Sequence, residues 1–140
     1  MEEIREIIEA RYDRLAAGDV PGMLAFYAPK VVQFNLAPPL GGWTDGHDPA
    51  PLAGWLATFA APPRRTVTQL EITASGDAAF ATSLDSMTAI PKGSDSPFTM
   101  WHRMTLGLSR DDGRWLIVHE HASVPFYMDG SFRAAVDLKP

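Results

Sequence analysis

Six polar side chains suited to acid–base or anion-binding chemistry are concentrated in two neighbouring segments of the chain. They are His102, Arg103, His119, Glu120, His121 and Ser123. The segments, Thr99–Arg110 and Gly113–Phe126, are joined at Asp111-Asp112-Gly113, and this pattern predicts a long β-hairpin. Buried Arg, Glu and His cost free energy unless they are paired, so their concentration in a small apolar domain predicts a ligand pocket.

The register of this hairpin decides which side chains meet. A four-residue turn from Arg110 to Gly113 would place Arg103 opposite Glu120. One face would then carry Trp101, Arg103, Thr105, Val118, Glu120 and Ala122. The other would carry His102, Met104, Leu106, Leu108, Trp115, Ile117, His119, His121 and Ser123. We favour this register, but a bulge or a shifted turn would swap one strand and bring His119 and His121 beside Arg103.

Each candidate has a chemical interpretation and a structural one. Arg103 could clamp an anion or a carbonyl group, or it could form an ion pair with Glu120. Glu120 could be a general base if burial raised its pKa, or it could be only the partner of the arginine. His119 and His121 could act in acid–base catalysis, or they could pack at a sheet surface or dimer interface. We take Glu120, His119 and His121 as the catalytic candidates.

Metal binding is disfavoured. His119 and His121 share a strand face at a spacing that can chelate a metal, but no third ligand is convincingly placed to complete a site. The chain also has no cysteine, which excludes disulfides and zinc–cysteine sites. We therefore expect neither a metal nor any other cofactor.

Composition limits the remaining classes of function. The chain has 140 residues, of which 46% are hydrophobic, and its formal net charge is −5. These values favour one folded domain over residues 1–140 and disfavour nucleic-acid binding. No apolar stretch approaches the length of about 20 residues that a membrane span needs. We expect a cytoplasmic protein.

Helical patterns occupy the first part of the chain. Apolar residues at helical spacing predict a helix over residues 2–17. Asp19, as an N-cap, begins a second helix that Ala28-Pro29 ends, and residues 31–36 form a strand. A Pro/Gly-rich loop follows over residues 37–46. A third helix then begins near Asp48-Pro49 and ends at Pro62-Pro63.

The remaining segments have the pattern of strands. These are residues 66–74, residues 78–90 and the hairpin, before a tail over residues 127–140. The order predicts an α+β, cone-shaped fold in which three N-terminal helices pack on a curved, mainly antiparallel β-sheet. In the favoured register, one hairpin face exposes Leu106, Leu108, Trp115 and Ile117, and this predicts a homodimer.

Two segments resemble a known superfamily. They are AAGDVPGMLAFYAPKVVQFN (Ala16–Asn35) and DGRWLIVHEHASVP (Asp112–Pro125). Together with the order of elements, they are similar to the nuclear-transport-factor-2-like cone, which includes ketosteroid isomerases, SnoaL-like polyketide cyclases and the association domain of calcium/calmodulin-dependent kinase II. The resemblance implies that the face with Arg103 and Glu120 lines the cone.

Comparison with the isomerases is informative at three positions. The resemblance places Asn35 where an isomerase has its general-base Asp, and an amide cannot abstract a proton near neutral pH. It places Tyr12 or Arg11 at the oxyanion-hole tyrosine and Thr105 at the second acid. Steroid isomerisation by the isomerase residues is therefore not expected.

The sequence thus predicts a SnoaL-like domain that binds a small apolar molecule with one polar or anionic group. We expect the substrate-binding residues to be Tyr12, Asn35, Trp43, Trp55, Phe59, Trp101, Arg103 and Thr105. An enzyme of this kind would be an isomerase, cyclase or lyase that acts on a carbonyl compound by acid–base chemistry. The alternative is a non-catalytic ligand-binding or oligomerisation module that resembles the kinase association domain.

Overall fold

The computed structural model describes all 140 residues, which form three helices and a six-stranded sheet. In chain order the elements are α1 (Glu2–Ala16), α2 (Val20–Leu24), β1 (Tyr27–Phe34), β2 (Gly42–Asp45), α3 (Ala50–Leu56), β3 (Arg64–Ser75), β4 (Ala78–Ala89), β5 (Phe98–Asp111) and β6 (Arg114–Ser123). The strand order in the sheet is β2-β1-β6-β5-β4-β3, and only the β1–β6 pair is parallel. The predicted α+β fold is confirmed.

The first helix brings polar side chains into the core. Its buried face carries Ile4, Ile8 and Leu15 together with Arg11 and Tyr12, which are adjacent in sequence. The apolar residues recur at helical spacing, as the sequence predicted, and they pack on the inner face of the sheet. The way the helix packs on the sheet therefore determines where Arg11 and Tyr12 enter the interior.

The second helix is shorter than predicted. Asp19 caps it as expected, since its Oδ1 accepts a hydrogen bond of 3.0 Å from the backbone N–H of Gly22. The helix ends at Leu24, however, and Tyr27 already belongs to β1, where it pairs with Ile117 of β6. Pairing with β6 therefore overrides the helical pattern of these residues.

The segment predicted as an irregular loop contains a strand. Residues Gly42–Asp45 form β2, which is antiparallel to β1 and pairs Val32 with Trp43. The third helix ends at Leu56, before Phe59, which forms an isolated bridge with Pro91. Short edge strands such as β2 give little sequence signal, because their pattern depends on the strand they pair with.

The favoured register of the β5–β6 hairpin is wrong. Asp111 pairs with Arg114, so the turn has two residues, Asp112 and Gly113, with φ of 48° and 77°. Positive φ at both positions is typical of a type I′ turn, whose twist matches that of the flanking strands. The predicted four-residue turn was therefore two residues too long, both on the β5 side.

A bulge in β6 shifts the register again. Gly107 pairs with His119 and Leu108 pairs with Ile117, which leaves Val118 without a partner on β5. Beyond this bulge, Arg103 lies opposite Ser123 rather than Glu120. The alternative left open in the sequence, that a bulge or shifted turn places His119 and His121 on the strand face of Arg103, is the one observed.

The inner face of the hairpin belongs to the core. Leu106, Leu108, Trp115 and Ile117, which were expected to be exposed, are all buried with α1 and β1. Each such side chain contributes roughly 1.5–3 kcal/mol by leaving water. These residues therefore stabilise the fold and cannot form the dimer surface that the sequence predicted.

No helix of the protein is long and apolar enough to cross a membrane.

Candidate functional site

Five polar side chains are buried on the inner side of the sheet: Arg11, Ser83, Asp85, His102 and Glu120. One comes from α1, and the others project from β4, β5 and β6. The buried face of β4 begins with Ala79 and Ala81 before Ser83 and Asp85. The hydrogen bonds of these groups divide them into two networks and one unpaired histidine.

The first network is centred on Glu120. Its Oε1 accepts hydrogen bonds from Arg11 Nη1 at 2.7 Å and from the Tyr27 hydroxyl at 2.9 Å. Its Oε2 accepts one from Gln33 Nε2 at 3.1 Å. The Tyr27 hydroxyl also accepts a hydrogen bond of 3.2 Å from Arg11 Nη1. The carboxylate thus has three donors and an opposite charge, as a buried ion needs.

The second network is centred on Asp85, which is fully buried. The Tyr12 hydroxyl donates to its Oδ2 at 2.5 Å, and the Ser83 hydroxyl donates to its Oδ1 at 2.6 Å. Burial raises the pKa of Tyr12 to about 12, although Arg11 and Arg65 oppose that shift. Tyr12 is therefore protonated near neutral pH and remains a donor to Asp85.

Arg65 lies next to the Asp85 network and contacts two aromatic rings. Its guanidinium carbon lies 5.6 Å from the centre of the Tyr12 ring and 5.2 Å from that of the Trp55 ring. Trp55 in turn contacts Phe59 edge to face, with ring centres 5.0 Å apart. Stacking on aromatic faces holds the planar guanidinium while leaving its edges free for hydrogen bonds.

His102 lies beside Asp85 and has no hydrogen-bond partner. The two residues are paired across β4 and β5, His102 is 2% exposed, and neither ring nitrogen has a partner. Burial lowers the pKa of His102 and the charge of Arg65 lowers it further, against the opposing effect of Asp85. A neutral imidazole next to a carboxylate is a group that can accept a proton and stabilise the resulting charge.

This burial predicts a specific dependence of stability on pH. The folded-state pKa of His102 is below its unfolded value of about 6.5, so the unfolded chain binds more protons and acidification favours it. Stability should fall as the pH decreases through and below about 6.5, and His102→Asn should flatten that dependence. Urea unfolding at several pH values between about 8 and 5 measures this dependence of stability on pH. An unchanged slope in His102→Asn would contradict the prediction.

Comparison with known proteins identifies the family. The family model of the SnoaL-like domain matches residues 4–127. The chain belongs to the SnoaL-like domain family. A structure of an NTF2-like protein of unknown function from Pseudomonas putida KT2440 is 32% identical, with a TM-score of 0.85 over 99% of this chain and 95% of that one. No match is found among curated proteins.

Two further structures share the fold at lower identity. ActVI-ORFA from Streptomyces coelicolor is 18% identical, with a TM-score of 0.70 over 86% of this chain and 94% of that one. The association domain of C. elegans CaMKII is 17% identical, with a TM-score of 0.67 over 87% of this chain and 93% of that one. At these identities the likeness concerns the fold of the SnoaL-like domain alone.

The SnoaL-like domain brings some predicted site residues into its interior. Tyr12 and Glu120 are buried there, in separate networks. Trp55 is half-buried next to Arg65, and the half-buried Phe59 contacts Trp55. Four predicted residues thus lie on or near the inner side of the sheet.

The other predicted site residues lie elsewhere. Asn35 follows the end of β1 and is exposed, and Trp43 is 66% exposed with Lys30 Nζ 4.4 Å from its ring centre. Trp101, Arg103 and Thr105 are on the outer face of β5, because the inner positions alternate with them. The resemblance had implied that these three residues line the cone together with Glu120, and the bulge at Val118 is what separates them from it.

His119 and His121 also lie on the outer face of the sheet. Both rings contact Phe34 edge to face at 5.3 Å, and His119 Nδ1 is 2.9 Å from the backbone oxygen of Val32. Arg103 Nε donates to Ser123 Oγ at 3.2 Å rather than to Glu120. No three His, Asp or Glu side chains are grouped so that they could hold a metal ion.

Sequence reasoning missed two residues of the inner polar cluster and misplaced a third. Asp85 and Ser83 went unnoticed, although they fall at every second residue of a strand whose other inner residues are Ala and Met. Polar residues on the apolar face of a strand are a usable signal of a site. His102 was recognised as polar but was assigned to the face opposite Glu120 by the wrong register.

Proposed function

We propose that this SnoaL-like domain binds a small, largely apolar carbonyl compound and transforms it by cofactor-free acid–base chemistry at His102. The observation that carries the proposal is the buried imidazole beside Asp85, with neither ring nitrogen hydrogen-bonded. A buried polar group without a partner is costly, and active sites are a common reason for that cost.

The reaction would be a proton transfer next to the carbonyl group. His102 takes a proton from the carbon beside the carbonyl, and the C–H electrons move into the enolate. Asp85, whose two oxygens are fixed by Tyr12 and Ser83, stabilises the imidazolium. In an isomerisation or cyclisation His102 returns the proton to the product. In a lyase the proton goes to a leaving hydroxyl group, which departs as water.

Glu120 has a positioning role in this proposal. Its three hydrogen-bond donors hold the carboxylate in place and leave it poorly suited to collect a proton from a substrate. By fixing one nitrogen of Arg11, it determines where the rest of that guanidinium points. We therefore assign the general base to His102 rather than to Glu120, His119 or His121.

The test is hydrogen–deuterium exchange at carbon in a panel of small ketones, aldehydes and keto acids, followed by proton NMR. The wild-type domain should accelerate exchange at the carbon next to the carbonyl for at least one compound. His102→Asn should reduce this rate by about 10²–10⁴-fold, since that is the usual contribution of a general base. The exposed His47 gives the matched control, and His47→Gln should exchange at the wild-type rate.

Two results would overturn the catalytic proposal. One is wild-type exchange that persists in His102→Asn. The other is a panel in which compounds bind but none exchanges or reacts, which would favour the non-catalytic binding module. In the supporting case, the rate should rise with pH through the pKa of His102, because only the neutral ring can accept a proton.

We also propose that the outer face of the sheet joins two copies of the chain. On β4, β5 and β6 this face is half-exposed and nearly free of charge, with residues such as Phe80, Thr82, Leu84, Trp101, Thr105, His119 and His121. Arg103 is its only charged side chain between Ala78 and Ser109. A broad sheet surface with so few charges is typical of interfaces between identical subunits.

Light scattering at micromolar concentration should give twice the chain mass of 15.3 kDa. Thr82 lies at the centre of the outer face, opposite Thr105. The variant Thr82→Glu should therefore be monomeric, because pairing would bury its charge against its own symmetry mate. The control Ala16→Glu, on exposed helix surface, should remain a dimer. A monomeric wild type would refute the interface.

A further inference from the structure

Arg11 presents one unused edge inside the SnoaL-like domain. The side chain is fully buried, and its Nη1 is bound by Glu120 and Tyr27, but Nε and Nη2 have no hydrogen-bond partner. In a guanidinium group, Nε–H and Nη2–H point along the same side. That side is the fork that accepts the two oxygens of a carboxylate in parallel.

Arg65, which lies near Arg11, also has a buried hydrogen-bond donor without a partner. Arg65 Nε is buried and unpartnered, and the guanidinium groups of Arg11 and Arg65 lie 4.3 Å and 5.6 Å from the Tyr12 ring centre. The acceptors are already occupied, because Asp85 binds Tyr12 and Ser83, and Glu120 binds its three donors. Any ligand that binds these donors must therefore supply acceptor oxygens, since guanidinium nitrogens cannot accept.

We infer that the ligand of this site carries a carboxylate, held in two-point contact by the Nε–Nη2 edge of Arg11 and supported by Arg65. The inference rests on the proposed function, because it takes the interior beside His102 as the ligand site. It departs from the sequence prediction, which gave the clamp to Arg103, now on the outer face.

The charge balance favours one negative charge over two. Four charged side chains meet here: Arg11 and Arg65 carry positive charges, and Asp85 and Glu120 carry negative ones. A carboxylate adds a single negative charge, which the guanidinium group of Arg11 would meet directly in the two-point contact. A phosphate dianion would add a second buried negative charge without a partner, at a cost of several kcal/mol.

Matched ligand pairs test the inference without any turnover. Benzoate, phenylacetate and cyclohexanecarboxylate are titrated calorimetrically against their primary amides, which have nearly the same shape but no charge. At least one carboxylate should bind the wild-type domain about tenfold more tightly than its amide, as a charge-assisted two-point contact implies. Phenyl phosphate serves as the dianion probe.

Arg11→Lys is the decisive variant, because lysine keeps the charge beside Glu120 but lacks the fork. It should melt near the wild-type temperature and lose most of the carboxylate preference, to within about threefold of the amide. The exposed Arg5→Lys on the same helix should keep the full preference. In nitrogen-detected NMR, the Arg11 Nε–H signal should shift when the carboxylate binds.

Three outcomes would overturn the inference: amides that bind as tightly as carboxylates, a preference that survives in Arg11→Lys, or tighter binding of phenyl phosphate than of any carboxylate. A preference lost in Arg103→Lys instead would return the clamp to the outer face. The variant His102→Asn separates this inference from the catalytic one. It should retain the carboxylate preference while losing proton exchange, so either can fail alone.

Discussion

Replacing Glu120 by leucine is expected to lower the free energy of unfolding by about 3–5 kcal/mol. The substitution leaves Arg11 as a buried charge without its partner and removes the acceptor of Tyr27 and Gln33. The loss should greatly exceed the change in apolar burial, which alone would favour leucine. Urea unfolding followed by tryptophan fluorescence measures it directly.

The double variant Arg11→Met with Glu120→Leu gives the control. If the ion pair explains the effect, removing the second charge should restore part of the stability, so the double variant is less destabilised than the sum of the single ones. Additive losses would contradict the pairing. A loss below about 1 kcal/mol in Glu120→Leu would mean that the carboxylate is not held as the hydrogen bonds indicate.

Asp85→Asn should have the second large effect, on rate rather than on folding. An asparagine can still accept a hydrogen bond from Tyr12 or Ser83, so most of the network survives. It cannot stabilise an imidazolium by charge, and we expect proton exchange to slow by about 10²–10⁴-fold. Because Asp85 raises the pKa of His102, its removal should also shift the acid limb of the pH–rate profile to lower pH.

Ser83→Ala is the matched comparison for this variant. It removes one donor to Asp85 but leaves the charge, so the loss of rate should be much smaller and the acid limb should move little. If the two variants slow exchange equally, the effect comes from disturbed packing around Asp85. If Asp85→Asn exchanges at the wild-type rate, Asp85 does not assist His102.

Sequence patterns predicted the fold better than the site. The α1 periodicity and the Asp19 cap are local signals, and both are confirmed. The inner cluster depends on how distant strands align, as the pairing of Asp85 with His102 across β4 and β5 illustrates. No local pattern fixes that alignment, because it follows from packing against α1 and from the hairpin turn.

The hairpin illustrates how sensitive such a prediction is. Alternation correctly separated Leu106 from Thr105, and β5 taken alone has the predicted faces, whereas β6 keeps them only as far as Ile117. The turn was taken as two residues too long, and the bulge at Val118 gave no signal that alternation could detect. The bulge alone therefore moved Arg103 and Glu120 to opposite faces, because a two-residue change of turn length preserves the alternation, and the fold class was unchanged.

The unpaired residue Val118 also determines which of the later side chains of β6 face the interior. Every side chain after it has the opposite orientation from the one that an unbroken strand would give. If the bulge closed and Val118 paired with Gly107 instead, His119 and His121 would point inward and Glu120 outward, so two imidazoles would replace a carboxylate. Deletion of Val118 would not have this effect, because it would only restore regular alternation from Ile117 to His119 and Glu120. Strand β6 thus encodes two sets of reactive groups, and a one-residue shift of register selects between them. Relatives of the same fold could diverge in chemistry by this route without replacing a single site residue.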